Sequence, residues 1–145
     1  MSTHAVNILL VEDNPGDVVL TRESLNECKI DSNITVASDG VQALSVLDRS
    51  KTEGEGAFPD IILLDLNLPK LSGFAVLNAI KTDGILKRIP VMVLSSSQAP
   101  EDIIRCYDYH ANCYVRKPNS IDGYINFARR IDEFWFSFAK LPSQA

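Results

Sequence analysis

The stretch Ile61-Ile62-Leu63-Leu64-Asp65-Leu66-Asn67-Leu68-Pro69 decides the architecture. Four aliphatic residues in a row, with no polar alternation, describe a strand covered on both faces, the condition of a parallel sheet. The run stops on an acid and enters a turn at Asn67-Leu68-Pro69. Working outward, runs of the same kind recur at Val6–Val11, Ile34–Ala37, Val91–Leu94 and Cys113–Val115. Helix-length segments with 3.6-residue spacing separate them. Val18, Thr21, Leu25 and Cys28 make one stripe, Val76, Leu77 and Ile80 part of another, and Ile103, Ile104 and Tyr107 a third. Strand and helix alternate five times, so the class is α/β with right-handed crossovers. Ser50–Pro59 reads as the one long loop, and Gly84 as the end of the third helix. Gly54 and Gly56 precede a strand instead of following one, so they read as connector and not as a phosphate-binding loop.

A chain of 145 residues suits one domain, with its core at about residues 6–127. Hydrophobic residues at 46% and charged residues at 23% are ordinary for a globular protein and exclude a disordered or fibrous one. No apolar run reaches the roughly 18 residues of a membrane helix, and Met1–Val6 lacks the features of a signal peptide. A net charge of −5 argues against nucleic acid or an anionic membrane as partner. Cys28, Cys106 and Cys113 are odd in number and lack CxxC spacing, which fits reduced residues of a cytoplasmic protein. His4 falls in the leader and His110 near the end of the fourth helix, neither with a second ligand at metal-binding spacing.

Polar residues stand where the strands stop. The first run ends in Glu12-Asp13, the third in Asp65, the fourth in Ser95 and the fifth in Arg116-Lys117-Pro118. Open parallel sheets bind ligands beyond the carboxyl ends of their strands, where strand order reverses. With the first and third strands adjacent, Glu12, Asp13 and Asp65 converge. Three carboxylates in one crevice repel one another and call for a cation, and an all-oxygen set with room for water suits Mg2+ better than zinc. Lys117 then offers a positive charge to a phosphoryl oxygen. A carboxylate can attack phosphorus to give an aspartyl-phosphate, a reaction that asks for in-line positioning and charge neutralisation.

Each residue also has a plainer reading. Asp13 before Asn14-Pro15 could cap the first helix, Asp65 could open a turn, Ser95 could cap a helix, and lysines are usually solvated. The joint placement of acid, acid, hydroxyl and lysine, each ending a different strand, favours a site.

Val11-Glu12-Asp13-Asn14, Leu63 to Pro69, Val93-Leu94-Ser95 and Val115-Arg116-Lys117-Pro118 together resemble the receiver domains of two-component response regulators. The resemblance covers nearly the whole chain. It implies a doubly wound (βα)5 flavodoxin-like three-layer sandwich with a parallel sheet in the order 2-1-3-4-5. It further implies that Asp65 accepts phosphate from a histidine kinase and that Asp13 binds Mg2+ directly. Glu12 acts through a water, and the Asn67 backbone carbonyl completes the metal's protein ligands. Ser95 bonds the phosphoryl group, Lys117 pairs with it, and Tyr114 is an aromatic switch. Lys117-Pro118 matches the family's cis-peptide position. Glu12 departs from the commoner aspartate by one methylene, which touches ligand geometry more than function. Asn67 and Ser97 match positions that tune the lifetime of the phosphate. Ala111-Asn112-Cys113-Tyr114, Ile131 to Trp135 and Leu141-Pro142 resemble the single-domain regulators paired with phytochromes in cyanobacteria and other bacteria, which implies a phytochrome-type kinase and an unnamed downstream protein.

Three rivals fall away on particular residues. Aspartate-nucleophile phosphatases need an acid two positions after the nucleophile, where this chain has Asn67. A dinucleotide-binding enzyme needs glycines where Glu12-Asp13-Asn14-Pro15 stands. A receiver fold that is never phosphorylated has no use for the full set of acids, Ser95 and Lys117. The length leaves no room for a DNA-binding output domain after the fifth helix.

Winding Ile121–Phe138 as one helix at about 100° per residue gives an apolar arc of roughly 200°, wider than one sheet face requires. The excess predicts a symmetric homodimer through the fifth helix and the tail residues Phe134, Trp135, Phe136 and Phe138. The alternative is that Leu141-Pro142 folds back over it.

Overall fold

The computed structural model describes residues 5–28, 31–54 and 57–142. His4 and Gly56, both read above, lie outside the described residues. Five strands, β1 (Val6–Val11), β2 (Ser32–Ala37), β3 (Ile61–Asp65), β4 (Val91–Ser95) and β5 (Cys113–Arg116), form one parallel sheet in the order β2-β1-β3-β4-β5. The expected fold class is the observed one. Helices α1 (Pro15–Glu27), α2 (Gly40–Glu53), α3 (Gly73–Thr82), α4 (Pro100–Asp108) and α5 (Ile121–Ile131) connect and cover it.

Alternate side chains of each strand point to opposite faces, and each face has its own core. Ile8, Leu10, Ile61, Leu63, Met92 and Leu94 pack with Leu25 of α1 and with Phe127, Ala128 and Ile131 of α5. Leu9, Val11, Ile62, Leu64, Val91 and Val93 pack with residues of α2, α3 and α4. Every residue of β3 and β4 is buried, as unbroken apolar runs require of central strands.

Helix starts follow local chemistry. Asn14, not Asp13, caps α1: its side chain accepts from the Asp17 N–H, and Pro15 occupies the first turn. Asp13 is thereby left out of the cap. Asp39, Ser72 and Ser120 cap α2, α3 and α5 in the same way. Gly73 opens α3 against the end of β3, where a Cβ would stand 2.4 Å from the Asp65 carbonyl oxygen. Only glycine lets this helix close on the strand that carries Asp65.

Five expectations need correction. α2 runs on through Glu53, because Ser50 donates to the Val46 carbonyl inside the helix and also to that of Ala57, so the loop is shorter than Ser50–Pro59. α3 stops at Thr82, before Gly84, where the Asp83 side chain accepts from the Ile85 and Leu86 N–H groups and turns the chain. On α4 the face toward the sheet centres on Cys106, with Ile103 half-buried, while Ile104 and Tyr107 are exposed. Lys117–Pro118 is trans, like all described peptide bonds; the lysine is oriented by its N–H donating to the Ser95 carbonyl and by the ion pairs described below.

The fifth concerns the last helix. After Ile131 the chain widens into a π-helix, Asp132–Phe138, whose hydrogen bonds close over five residues. A uniform 100° winding overshoots there. Trp135 and Phe136 turn inward and pack on the α1–α5 core, while Phe134 and Phe138 remain 50% and 82% exposed. Leu141 is buried, so the tail does return to the body, yet it leaves those two rings uncovered.

Candidate functional site

The register assembles the acidic residues. Val11 pairs with Leu64, so Glu12 and Asp65 leave the sheet side by side, at the reversal between β1 and β3. One carboxylate oxygen from each of Glu12, Asp13 and Asp65 lies within 4.8 Å of the others. Glu12 and Asp65 are buried and Asp13 is exposed, so the cluster is walled on one side and open to water on the other. The Asp65 Oδ1 accepts from the Asn67 N–H at 3.3 Å, and the Glu12 Oε2 from the Asn14 N–H at 3.2 Å.

Lys117 enters from the end of β5. Its Nζ lies 2.6 Å from Glu12, 2.7 Å from Asp17 and 3.4 Å from Asp65. Burial alone would depress the ammonium, but the hydrogen bonds to Asp17 and Glu12, with the Asp65 charge, outweigh it and hold its pKa above the ordinary lysine range. Glu12 is pushed up to about 7, first by burial; the Asp65 charge adds to the rise and Lys117 opposes it. This is a surplus of negative charge held partly out of water. An all-oxygen donor set with an open, wet side fits a hard divalent cation such as Mg2+, which neutralises that surplus.

Ser95 is fully buried at the end of β4, and its Oγ accepts from the Ser97 N–H. Ser97 Oγ donates to Asp102 at 2.6 Å, tying the loop to the first turn of α4. Tyr114, on β5, packs against the core under α4. The residues singled out in sequence thus fall on one end of the sheet: Glu12, Asp13, Asp65, Ser95 and Lys117 at the strand ends, Asn67 two residues beyond β3, and Tyr114 alongside.

The response regulator receiver domain family profile matches residues 8–128, most of the chain. The chain is a response regulator receiver domain. This receiver domain is 39% identical over 136 residues to response regulator Rcp1 of a Synechocystis strain, covering 94% of this chain and 92% of Rcp1. Among solved structures it is similar to the phosphorylated cyanobacterial phytochrome response regulator RcpA, with a TM-score of 0.86 and 44% identity over 96% of this chain and 99% of RcpA. It is also similar to the Mn(2+)-bound form of Rcp1, with a TM-score of 0.85 and 38% identity over 94% of this chain and 99% of that one. The receiver domain is therefore a two-component signalling protein related to phytochrome response regulators. No helix among its described residues is long and apolar enough to cross a membrane.

Sequence reading missed two residues of this receiver site, Asp17 and Tyr124. Asp17 follows Asp13 by one helical turn, a spacing that can bring a side chain back to the same end of the helix, and that signal was available. An acid in a first turn is also what the helix dipole favours, so it attracts no notice. Tyr124 sits in the apolar stripe of α5, buried, with no hydrogen-bond partner for its hydroxyl among the described residues. Its pKa is pushed up to about 12, first by burial and next by the facing Asp17 carboxylate.

Proposed function

We propose that this receiver accepts a phosphoryl group on Asp65 from a histidine kinase of the phytochrome type, in the presence of Mg2+, and works as a stand-alone cytoplasmic regulator. The observation that carries this reading is the grouping of a nearly buried Asp65 with two further acids and a lysine already inside the crevice. Asp13, Asp65 and the Asn67 carbonyl, with Glu12 through a water, would hold Mg2+, which supplies positive charge to the phosphoryl oxygens. An Asp65 oxygen attacks phosphorus, the phosphorus–nitrogen bond of the phosphohistidine breaks, and the imidazole leaves with its electron pair and takes up a proton. Lys117 neutralises a phosphoryl oxygen. Ser95 turns its hydroxyl from the Ser97 N–H toward the new charge, and Tyr114 repacks behind it. A downstream protein then reads the altered surface of α4, β5 and α5, where Ile104, Tyr107 and Ile121 are exposed. A second copy of the chain meets it through the aromatic tail.

Asp65→Asn tests the reading, since the amide is isosteric and keeps the fold. The variant should lose labelling by a phytochrome-type kinase and by acetyl phosphate, while wild type labels only with Mg2+ present. Persistent acid-stable label on the variant would defeat the assignment.

A further inference from the structure

Lys117 leans away from the residue it is meant to serve. Two short contacts go to Glu12 and Asp17, and the longest, at 3.4 Å, goes to Asp65. Asp17 is not one of the three clustered carboxylates: it comes from the first turn of α1, with its side chain 25% exposed. A lysine drawn toward Asp17 leaves the Asp65 oxygens less engaged, which favours their attack on phosphorus. The same pairing must be given up when Lys117 moves to a phosphoryl oxygen, and a partly desolvated carboxylate is then left without its cation.

The group that could answer that loss is already beside it. Tyr124, in the first turn of α5, is 3% exposed, and its hydroxyl faces the Asp17 carboxylate without a well-formed hydrogen bond to any group among the described residues. Such a buried, unsatisfied hydroxyl is costly unless another state of the protein uses it. α1 and α5 pack side by side on one face of the sheet, which sets the first turns of both helices against the crevice.

We propose that Asp17 is the resting counter-ion of Lys117, and that Tyr124 donates its hydroxyl to Asp17 when Lys117 transfers to the phosphoryl group. Both are positioning residues acting through Lys117, and the proposal rests on Asp65 being the phosphoacceptor. No covalent bond changes: one ion pair is exchanged for another, and a loosely held hydroxyl closes on the acceptor it already faces.

The test uses the full chain, saturating Mg2+ and beryllofluoride as phosphoryl mimic, with bound fluoride read by 19F NMR. Asp17→Ala removes the competitor for Lys117 and should tighten the mimic about three- to tenfold, the scale of a partly exposed ion pair. Tyr124→Phe should weaken it about threefold or more, the scale of one hydrogen bond. Its unfolding midpoint in urea should hold or rise, because the removed hydroxyl makes no well-formed hydrogen bond among the described residues in the resting state. In the Asp17→Ala background, Tyr124→Phe should have no effect. That non-additivity separates an exchange of partners from mere packing or general charge. Additive effects, or a weaker mimic in Asp17→Ala, would overturn the proposal alone. A wild type showing no Mg2+-dependent bound fluoride, or a signal that survives Asp65→Ala, would overturn it together with the role of Asp65.

Discussion

The Tyr114 hydroxyl donates a 2.8 Å hydrogen bond to the Ser97 carbonyl, tying β5 to the loop that carries Ser95. Ser97 in turn donates its N–H to Ser95 Oγ, so the serine and the tyrosine share one short chain of bonds. Any movement of Ser95 toward a phosphoryl group must break the Ser97 contact and loosen Tyr114. Tyr114→Phe should destabilise the unphosphorylated protein by about 1 kcal/mol, read as a lower urea midpoint. It should also shrink the stability difference between the resting and beryllofluoride-bound protein. A difference as large as that of wild type would remove Tyr114 from the switch.

Trp135 reports on the other end of the molecule. It lies past the end of α5, roughly 20 Å along the helix from the crevice at about 1.5 Å per residue, and packs on the α1–α5 core with Phe134 edge-on at 5.0 Å. Mg2+ should change its fluorescence by only a few per cent. A strong quench in a monomeric variant would mean that the cation binds elsewhere.

The proposed homodimer rests on the two rings that the π-helix leaves outside. Phe134 and Phe138 stand 6.1 Å apart and are largely uncovered, whereas Phe136 contributes to the protein's own core. Phe134→Asp and Phe138→Asp should therefore abolish association in sedimentation at high micromolar concentration with little loss of stability, while Phe136→Asp should lower the unfolding midpoint as well. A wild type that sediments as a monomer, with or without phosphoryl mimic, would rule the dimer out.

Asp83 offers a pH test remote from the crevice. Its Oδ1 accepts from two N–H groups in the turn before β4, and Lys51 pairs with its other oxygen. The Lys51 hydrogen bond, then the two backbone bonds, hold the carboxyl at about 2, below the ordinary carboxylate range. A depressed carboxyl stabilises the fold above its unfolded pKa and loses that contribution as pH falls through the folded one. The urea midpoints of wild type and Asp83→Asn should differ most above pH 5, with the gap narrowing as pH falls below 4 and closing only near 2. A gap that stays constant across this range would show that the charge contributes nothing.

What was legible in the sequence depended on whether one local rule acted alone. β3 could be read because burial on both faces leaves no alternative to an apolar run, and Asp65 because an acid ending such a run is conspicuous. Glu12, Asp13, Ser95 and Lys117 followed from the same rule applied at other strand ends. Asp17 obeys two rules at once, a helix-dipole preference and a tertiary ion pair, and only the first is local. Ile104 and Tyr107 share helical spacing with a buried stripe but fall beside it, on a nine-residue helix whose buried residue is Cys106. The π-helix escaped because periodicity assumes one winding throughout, whereas the pitch changes after Ile131, where the adjacent Trp135 and Phe136 both pack on the core.

The lysine that completes the crevice lies 52 positions beyond Asp65, next to a strand only four residues long. During synthesis, the acidic residues of the first three strands leave the ribosome well before the cation that neutralises them. Until β5 docks, Glu12 and Asp65 lack the lysine charge that faces them in the finished fold. With Asp65 as the proposed phosphoacceptor, the docking of one short edge strand is the step that brings the crevice its cation, and a product that ends before Cys113 lacks both that strand and the lysine.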